Sequence, residues 1–268
     1  MKIVYASDLH SNKTHFLKIK KITYKVTADL LILGGDLFAH THDVSDQISF
    51  IKNFLKDYIN DFNIPVLGIA GNVDWPLSIN RLNSTSKIKI LNLNFNYLYQ
   101  SIYFEGYPFI VPSPFKNKDF EKRDLKNEEY IYPYNKNCYV TNELGKKIYI
   151  KKDYLNSLIS IEEDLNRKFE PNSIWIMHNP PYGGDIDLAD HAGHIGSKAI
   201  RDKIRKEQPK LTLHGHVHES PTNGSWIDSI KNTICINPGC GTKVHAVIIK
   251  LDDDFNLKRI RHTIYGTY

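Results

Sequence analysis

Five short apolar runs punctuate the chain, and each stops at the same few kinds of polar residue. KIVYA (2–6) leads into SDLHS, DLLIL (29–33) into GGDLF, PVLGIA (65–70) into GNVDW, SIWIM (173–177) into HNPPY, and LTL (211–213) into HGHVH. Their length and β-branched content predict buried strands. Amphipathic stretches over roughly 14–27, 45–59, 151–166 and 197–207 predict helices in the gaps. Strands alternating with helices indicate an α/β fold, in which ligands gather beyond the carboxyl ends of the strands. Polar residues at five strand ends should therefore converge, although they are scattered along the chain.

Elsewhere the pattern changes. Residues 95–112 alternate aromatic with polar positions, which predicts hairpin strands, and 226–236 and 243–264 also read as strands. The stretch 113–136 is dense in charge and aromatics, as expected of an ordered insertion or a loop over a site. With no Gly/Ser-rich linker and no internal repeat, the simplest organisation is a single domain over 1–268 carrying that local insertion.

Composition narrows the class without naming a function. The 268 residues suffice for one large core, and 41% hydrophobic with 24% charged residues is ordinary for a globular protein. A net charge of +5 would help attract phosphorylated ligands but is too small to indicate a nucleic-acid binder. Three cysteines, Cys138, Cys235 and Cys240, form no CxxC pair and no secreted disulfide framework, and structural roles rather than metal binding are expected of Cys235 and Cys240. The first apolar run reaches Asp8 too early for a signal peptide, and no later segment is apolar enough to span a membrane. A cytoplasmic protein without a membrane partner is the expectation; the oligomeric state is left open.

The chemistry lies at the strand ends: Asp8 and His10, Asp36, Asn72, His178, His216 and His218. Carboxylate, imidazole and amide oxygen together suit hard-to-borderline divalent ions. Seven such donors exceed the needs of one ion but fit two that share a carboxylate. Two ions about 3.5–4 Å apart can clamp the attacking and leaving oxygens of an in-line displacement, and a water they share is acidified to hydroxide.

In these residues the chain resembles the calcineurin-like metallophosphoesterases, whose motifs run D-x-H, G-D, G-N-H-[DE], a lone His and G-H-x-H. The counterparts are SDLH (Asp8, His10), GGDLF (Asp36), GNVDW (Asn72, Asp74), IMHNPP (His178) and HGHVH (His216, His218), in that order. The resemblance implies a four-layer αββα sandwich, two mixed β-sheets flanked by helices. It further implies that Asp8, His10, Asp36 and His218 hold a first metal. Asp36 would bridge to a second, completed by Asn72, His178 and His216. The implied cofactors are two divalent ions, Mn²⁺ foremost, with Fe²⁺ or Fe³⁺, Zn²⁺ and Ni²⁺ as alternatives. The implied activity is hydrolysis of phosphate mono- or diesters by the hydroxide that the ions share, on a phosphorylated small molecule. A nuclease or a non-catalytic scaffold on the same fold is the alternative.

One position departs from the family pattern. Val73 stands where the third motif carries a His that assists the leaving oxygen, and losing a general acid costs about 10²–10⁴-fold in rate. His194 or His191, in the DHAGH loop, is a candidate substitute; alternatively the substrate has a good leaving group. A helix starting at Ser197 could add free backbone amides for phosphate oxygens.

Each of these residues also has an ordinary reading. Asp8 and Asp36 could cap or turn the chain, and Asn72 could serve a left-handed turn. His214 shares the alternation of His216 and His218 but falls outside the motif, so it reads as a neighbour. Asp74 is expected to fix loop geometry. Glu219 is either an orienting partner for an imidazole or plain surface charge. His40 and His42 lie close to Asp36 and could touch substrate, and Lys118, Lys122 and Arg123 could attract an anionic one, but a solvated loop and a solvated charged face are the expected readings.

Overall fold

The computed structural model describes residues 1–129, 137–151 and 153–268. Two mixed sheets stack at its centre. In the first, four parallel strands, Lys2–Ala6, Leu30–Leu33, Val66–Gly68 and Lys89–Ile90, lie side by side in chain order. The antiparallel strands Val247–Leu251, Leu257–His262 and Gly266–Thr267 extend it beyond Lys2–Ala6. In the second, Ile102–Tyr107, Ser173–Met177, Leu211–Leu213 and Thr233–Ile236 run parallel, with antiparallel edges at Tyr97–Tyr99 and Ile227–Ile230.

The twofold alternation of strand side chains assigns the layers. Ile3, Tyr5, Leu30, Ile32, Ile174, Ile176, Leu211 and Leu213 point inward and form one core between the sheets. Val4, Ala6, Leu31 and Leu33 face the other way, onto helix residues Phe16, Ile19, Leu55 and Ile59. Trp175 and Met177 face outward from the second sheet, onto Ile161, Leu165, Ile200 and Ile204. Apolar runs buried on both faces therefore yield helix, sheet, sheet, helix: the four-layer sandwich.

Local departures have local causes. The helix expected over 45–59 forms as Val44–Phe50 and Lys56–Asn60 joined by a π-helical turn at Ile51–Leu55, where Phe54 packs tilted against Phe50 and stacked on Tyr58. The helix expected over 151–166 is two short ones, Tyr154–Ser157 and Ile161–Leu165. Ser160 caps the second in a reciprocal box with Glu163, forcing a break before it. Helix Pro76–Thr85 was not anticipated; its first position is a proline, which presets the helical φ. Part of the insertion expected over 113–136, residues 130–136, lies outside the described residues. No helix among the described residues is long and apolar enough to cross a membrane.

Two buried histidines are built to stay neutral. The Nδ1 of His262 accepts from the amides of Ile264 and Tyr265 at 3.0 and 3.2 Å, and its Nε2–H donates to the Pro238 carbonyl at 3.0 Å. The Nδ1–H of His214 donates to the carbonyls of Met177 and Asn179, while its Nε2 accepts from Thr212. Burial pushes both rings down to about 4 from the ordinary 6.5. Below 6.5 the unfolded chain takes protons that the folded rings refuse, so stability is full above pH 6.5 and drains as pH falls toward 4. Each ring should contribute up to about 1.4 kcal/mol per pH unit. Thermal midpoints measured across that range should fall, less steeply in His262→Gln; a flat profile would contradict this assignment.

Candidate metal centre

The five apolar strands release the chain at one end of the sandwich, and the residues after them meet there. Asp8, Asp36, Asn72 and His178 are buried; His10, His216 and His218 are partly exposed. The backbone at Asp8, His10, Asp36 and His216 is left-handed, with φ of 57°, 43°, 49° and 67°. That conformation costs on the order of 1 kcal/mol per residue and gathers where geometry matters more than stability. Main-chain bonds hold the strained loops together: Asp8 N–H to Gly35 O at 3.0 Å, His10 N–H to Asp36 O at 3.0 Å, and Gly215 N–H to His178 O at 3.0 Å.

Two glycines allow this crowding. A Cβ on Gly71 would strike the Asp36 carboxylate and come within 2.7 Å of His178 Nε2. One on Gly215 would strike Ser7 and come within 2.6 Å of Asp8 Oδ2.

The side chains form two adjoining lobes. Asp8, His10, Asp36 and His218 each aim a ligand atom into a space where all four atoms lie within 4.8 Å of one another. Nε2 of His10 stands 3.0 Å from Nε2 of His218, which is itself 3.4 Å from Asp8 Oδ1. In the second lobe, His178 Nε2 is 3.5 Å from Asp36 Oδ1 and 3.2 Å from Asn72 Oδ1, which lies 2.8 Å from His216 Nδ1. Asp36 belongs to both. The rings are oriented from behind: the Nδ1–H of His178 donates to Gly34 O at 2.9 Å and that of His10 to Phe38 O at 3.3 Å, leaving each Nε2 for the site.

Charge follows the same division. Burial alone would raise Asp8, but hydrogen bonding to His218 and the charges of His218, His178 and His10 lower it below the usual carboxylate range. Asp36 is likewise lowered against its burial, chiefly by His178. Burial would lower His178, yet the Asp36 carboxylate lifts it to about 9. His216 is pushed down to about 4 by burial and by the charge of His178. Buried carboxylates kept ionised beside imidazoles form a set ready for cations, so the donors present fit a metal centre.

The neighbours also find places. Asp74, fully buried, accepts from the amides of Phe38 at 3.0 Å and Gly71 at 2.9 Å, bracing both loops; burial and the Asp36 charge push it up to about 8. The amide of Val73 donates to Asp36 Oδ1 at 2.9 Å. Glu219 accepts the amide of Asp190 at 2.8 Å, tying the 188–194 hairpin to the turn after His218 rather than orienting an imidazole.

A cavity of about 540 Å³ opens over the cluster, with His10, Asp36, Asn72, His216 and His218 at its floor. Its walls come from Val111–Phe115 and from the loop holding Ala189, Asp190, Ala192 and Ile195. His191 and His194 are not among the lining residues. The Nδ1 of His194 instead pairs with Asp187 Oδ1 at 2.8 Å, so this loop offers the cavity methyl groups where an imidazole was anticipated. His40, for which a solvated loop position was expected and substrate contact was the alternative, lines the cavity. A larger hollow of about 670 Å³ lies at the opposite end of strand Ser173–Met177, near Glu207 and Lys210.

Two expectations are corrected outright. The amides at the start of helix Lys198–Glu207 are not available to phosphate. The Asp124 carboxylate accepts from Lys198 N at 2.7 Å, Ala199 N at 3.3 Å and Ser197 Oγ at 2.5 Å. Nor do Lys118 and Lys122 form a solvated face: both are buried, bonded to Glu121 at 2.8 Å and Asp164 at 2.6 Å. Arg123 spends its guanidinium on the carbonyls of Lys126 and Leu158. Glu121 and the Lys126 carbonyl lie only three positions from Lys118 and Arg123, whereas the Asp124–Ser197, Lys122–Asp164 and Arg123–Leu158 contacts are contributed by the tertiary fold.

Solved structures share this architecture at low identity. One crystal structure aligns over 97% of this chain and 98% of its own, with 15% identity and a TM-score of 0.63. TT1561 of Thermus thermophilus aligns over 96% of both chains, with 14% identity and a TM-score of 0.57. GAP50, described as the anchor in the inner membrane complex of Plasmodium, covers 100% of this chain and 87% of its own at 11% identity and a TM-score of 0.54. No curated protein sequence matches the chain. The family model of the calcineurin-like phosphoesterases matches residues 1–220. That match begins before Asp8 and ends after His218, so it contains every residue the five strand ends bring together. The chain belongs to the calcineurin-like phosphoesterase family.

Proposed function

We propose that the protein is a metal-dependent hydrolase of phosphate esters working with two divalent ions. The observation that supports this most is the shared position of Asp36, between the lobe of Asp8, His10 and His218 and the lobe of Asn72, His178 and His216. Ions bound there would supply an activated water and offset the negative charge of the phosphate.

The chain's own contribution is preorganisation. Asp8 and Asp36 are held ionised by neighbouring imidazoles, and His10 and His178 are fixed by carbonyls behind them, so little needs reordering when substrate enters. Proton delivery to the leaving oxygen is weakly provided. Val73 has no proton to give, and His191 and His194 do not line the cavity. His40 lines it, but partial burial, with the charges of His42 and Lys147, lowers its pKa and favours the neutral ring. This reading therefore favours esters whose leaving group departs without a proton.

The scaffold reading draws on the GAP50 likeness, which speaks only to fold. Measuring hydrolysis of aryl and alkyl phosphate esters by Mn²⁺-loaded and chelator-treated protein separates the two. Metal-dependent turnover of aryl esters, at least about 10²-fold above alkyl esters, is expected. Absence of metal-dependent turnover on every ester would leave the scaffold.

A further inference from the structure

The cavity above the cluster has an unusual wall for a site expected to receive phosphate. Among its lining residues there is no Lys or Arg. Of the basic residues in the adjoining insertion, Lys118 and Lys122 are buried in ion pairs and Arg123 is bonded to main-chain carbonyls, while Lys116 and Lys126 are exposed outside the lining. The rim instead carries two carboxylates, Asp190 and Glu219. The remaining wall is apolar, with Val111, Pro112, Pro114 and Phe115 on one side and Ala189, Ala192 and Ile195 on the other. Phe115 is 43% exposed, a large apolar surface left open at the mouth.

We infer that the substrate is a phosphodiester of single negative charge whose non-leaving ester group is an apolar chain or ring seated between these two walls. The inference rests on the hydrolase reading for the chemistry, and on the wall alone for the occupant. A second phosphate or a nucleic-acid strand would bring further negative charge to a wall whose described lining residues include the carboxylates of Asp190 and Glu219 and no Lys or Arg, which is repulsive in a confined site. An apolar arm meets the opposite situation: it removes the exposed surface of Phe115 and Ile195 from water as it enters. A volume of about 540 Å³ accommodates one such arm beside a phosphate. In the reaction the oxygen of water forms a new bond to phosphorus and the bond to the leaving oxygen breaks. The apolar monoester and the free alcohol or phenol depart, sharing the protons of the water.

The test uses the Mn²⁺-loaded full chain and two homologous series running from methyl to hexyl. For p-nitrophenyl alkyl phosphates, kcat/KM should climb with chain length, up to about fourfold for each methylene buried. For alkyl(methyl)phosphinates, which carry the same single charge but no ester bond to cleave, calorimetric affinity should climb in parallel. Phe115→Ser should flatten both slopes, and Ala192→Arg should shift binding toward a nucleoside diphosphate. Affinity independent of chain length, or a nucleoside diphosphate bound more tightly by the native chain than the hexyl compound, would overturn the inference. Rising affinity without turnover would uphold the apolar arm while ending the hydrolase reading.

Discussion

Asp36→Asn should lower metal-dependent ester hydrolysis by on the order of 10³-fold or more while leaving the fold intact. The substitution preserves size and an oxygen for the Val73 amide, so its effect isolates charge. Asp36 is 2% exposed and is the carboxylate common to both lobes, and removing its charge weakens cation binding on both sides at once. Several kcal/mol of transition-state stabilisation depend on such cations, and each 1.4 kcal/mol is about tenfold in rate. His178 provides an independent readout in the metal-free protein: there its pKa of about 9 is sustained against burial chiefly by Asp36, so NMR titration without metal should find it lower in the variant. Metal content per chain and kcat/KM on an aryl phosphodiester complete the measurement. Activity within tenfold of the native chain would remove Asp36 from the centre of the mechanism.

The second large effect concerns stability. Lys118→Met should destabilise the protein by about 3–5 kcal/mol, the cost of leaving a buried carboxylate without its partner. Lys118 Nζ donates to Glu121 at 2.8 Å and to the Ser113 carbonyl at 2.7 Å, and neither charged side chain is more than 1% exposed. Glu121 cannot simply be exchanged for a hydrocarbon as well, because it also accepts the amide and the hydroxyl of Ser113. This network pins Ser113 between Pro112 and Pro114, so breaking it should loosen the cavity wall. Denaturant unfolding measures the first effect, and proteolysis near 112–115 the second. A loss below about 1 kcal/mol would mean that Glu121 finds another partner or takes up a proton, toward which burial already pushes it, up to about 7.

How much of this was legible in the sequence differs between strand ends and walls. The apolar runs that end in SDLH, GGDLF, GNVDW, IMHNPP and HGHVH specify buried strands and their exits locally, so the sandwich and the convergence could be read in one pass. The separation of His214 from His216 and His218 was also readable, because only the motif distinguishes identical side chains at alternate positions. The wall was not. Asp124 reaches Ser197 across 73 positions and Lys122 reaches Asp164 across 42. A charge-rich stretch looks the same on paper whether solvent or a distant partner satisfies it. His191 and His194 stand in a loop beside the cavity that lines it through Ala189, Asp190, Ala192 and Ile195, and the pairing of His194 with Asp187 is not marked in the sequence. The break at Leu158–Ser160 was an avoidable miss, since Ser160 and Glu163 have the spacing of a helix start.

The centre draws Asp8, Asp36 and Asn72 from one sheet and His178, His216 and His218 from the other. A polypeptide emerging from the ribosome therefore owns no complete coordination sphere until His218 has been synthesised, and 208 positions separate His10 from His218. Cation capture would come late in maturation, and a captured ion would act as a clasp across the two halves, reporting that both have been assembled in register.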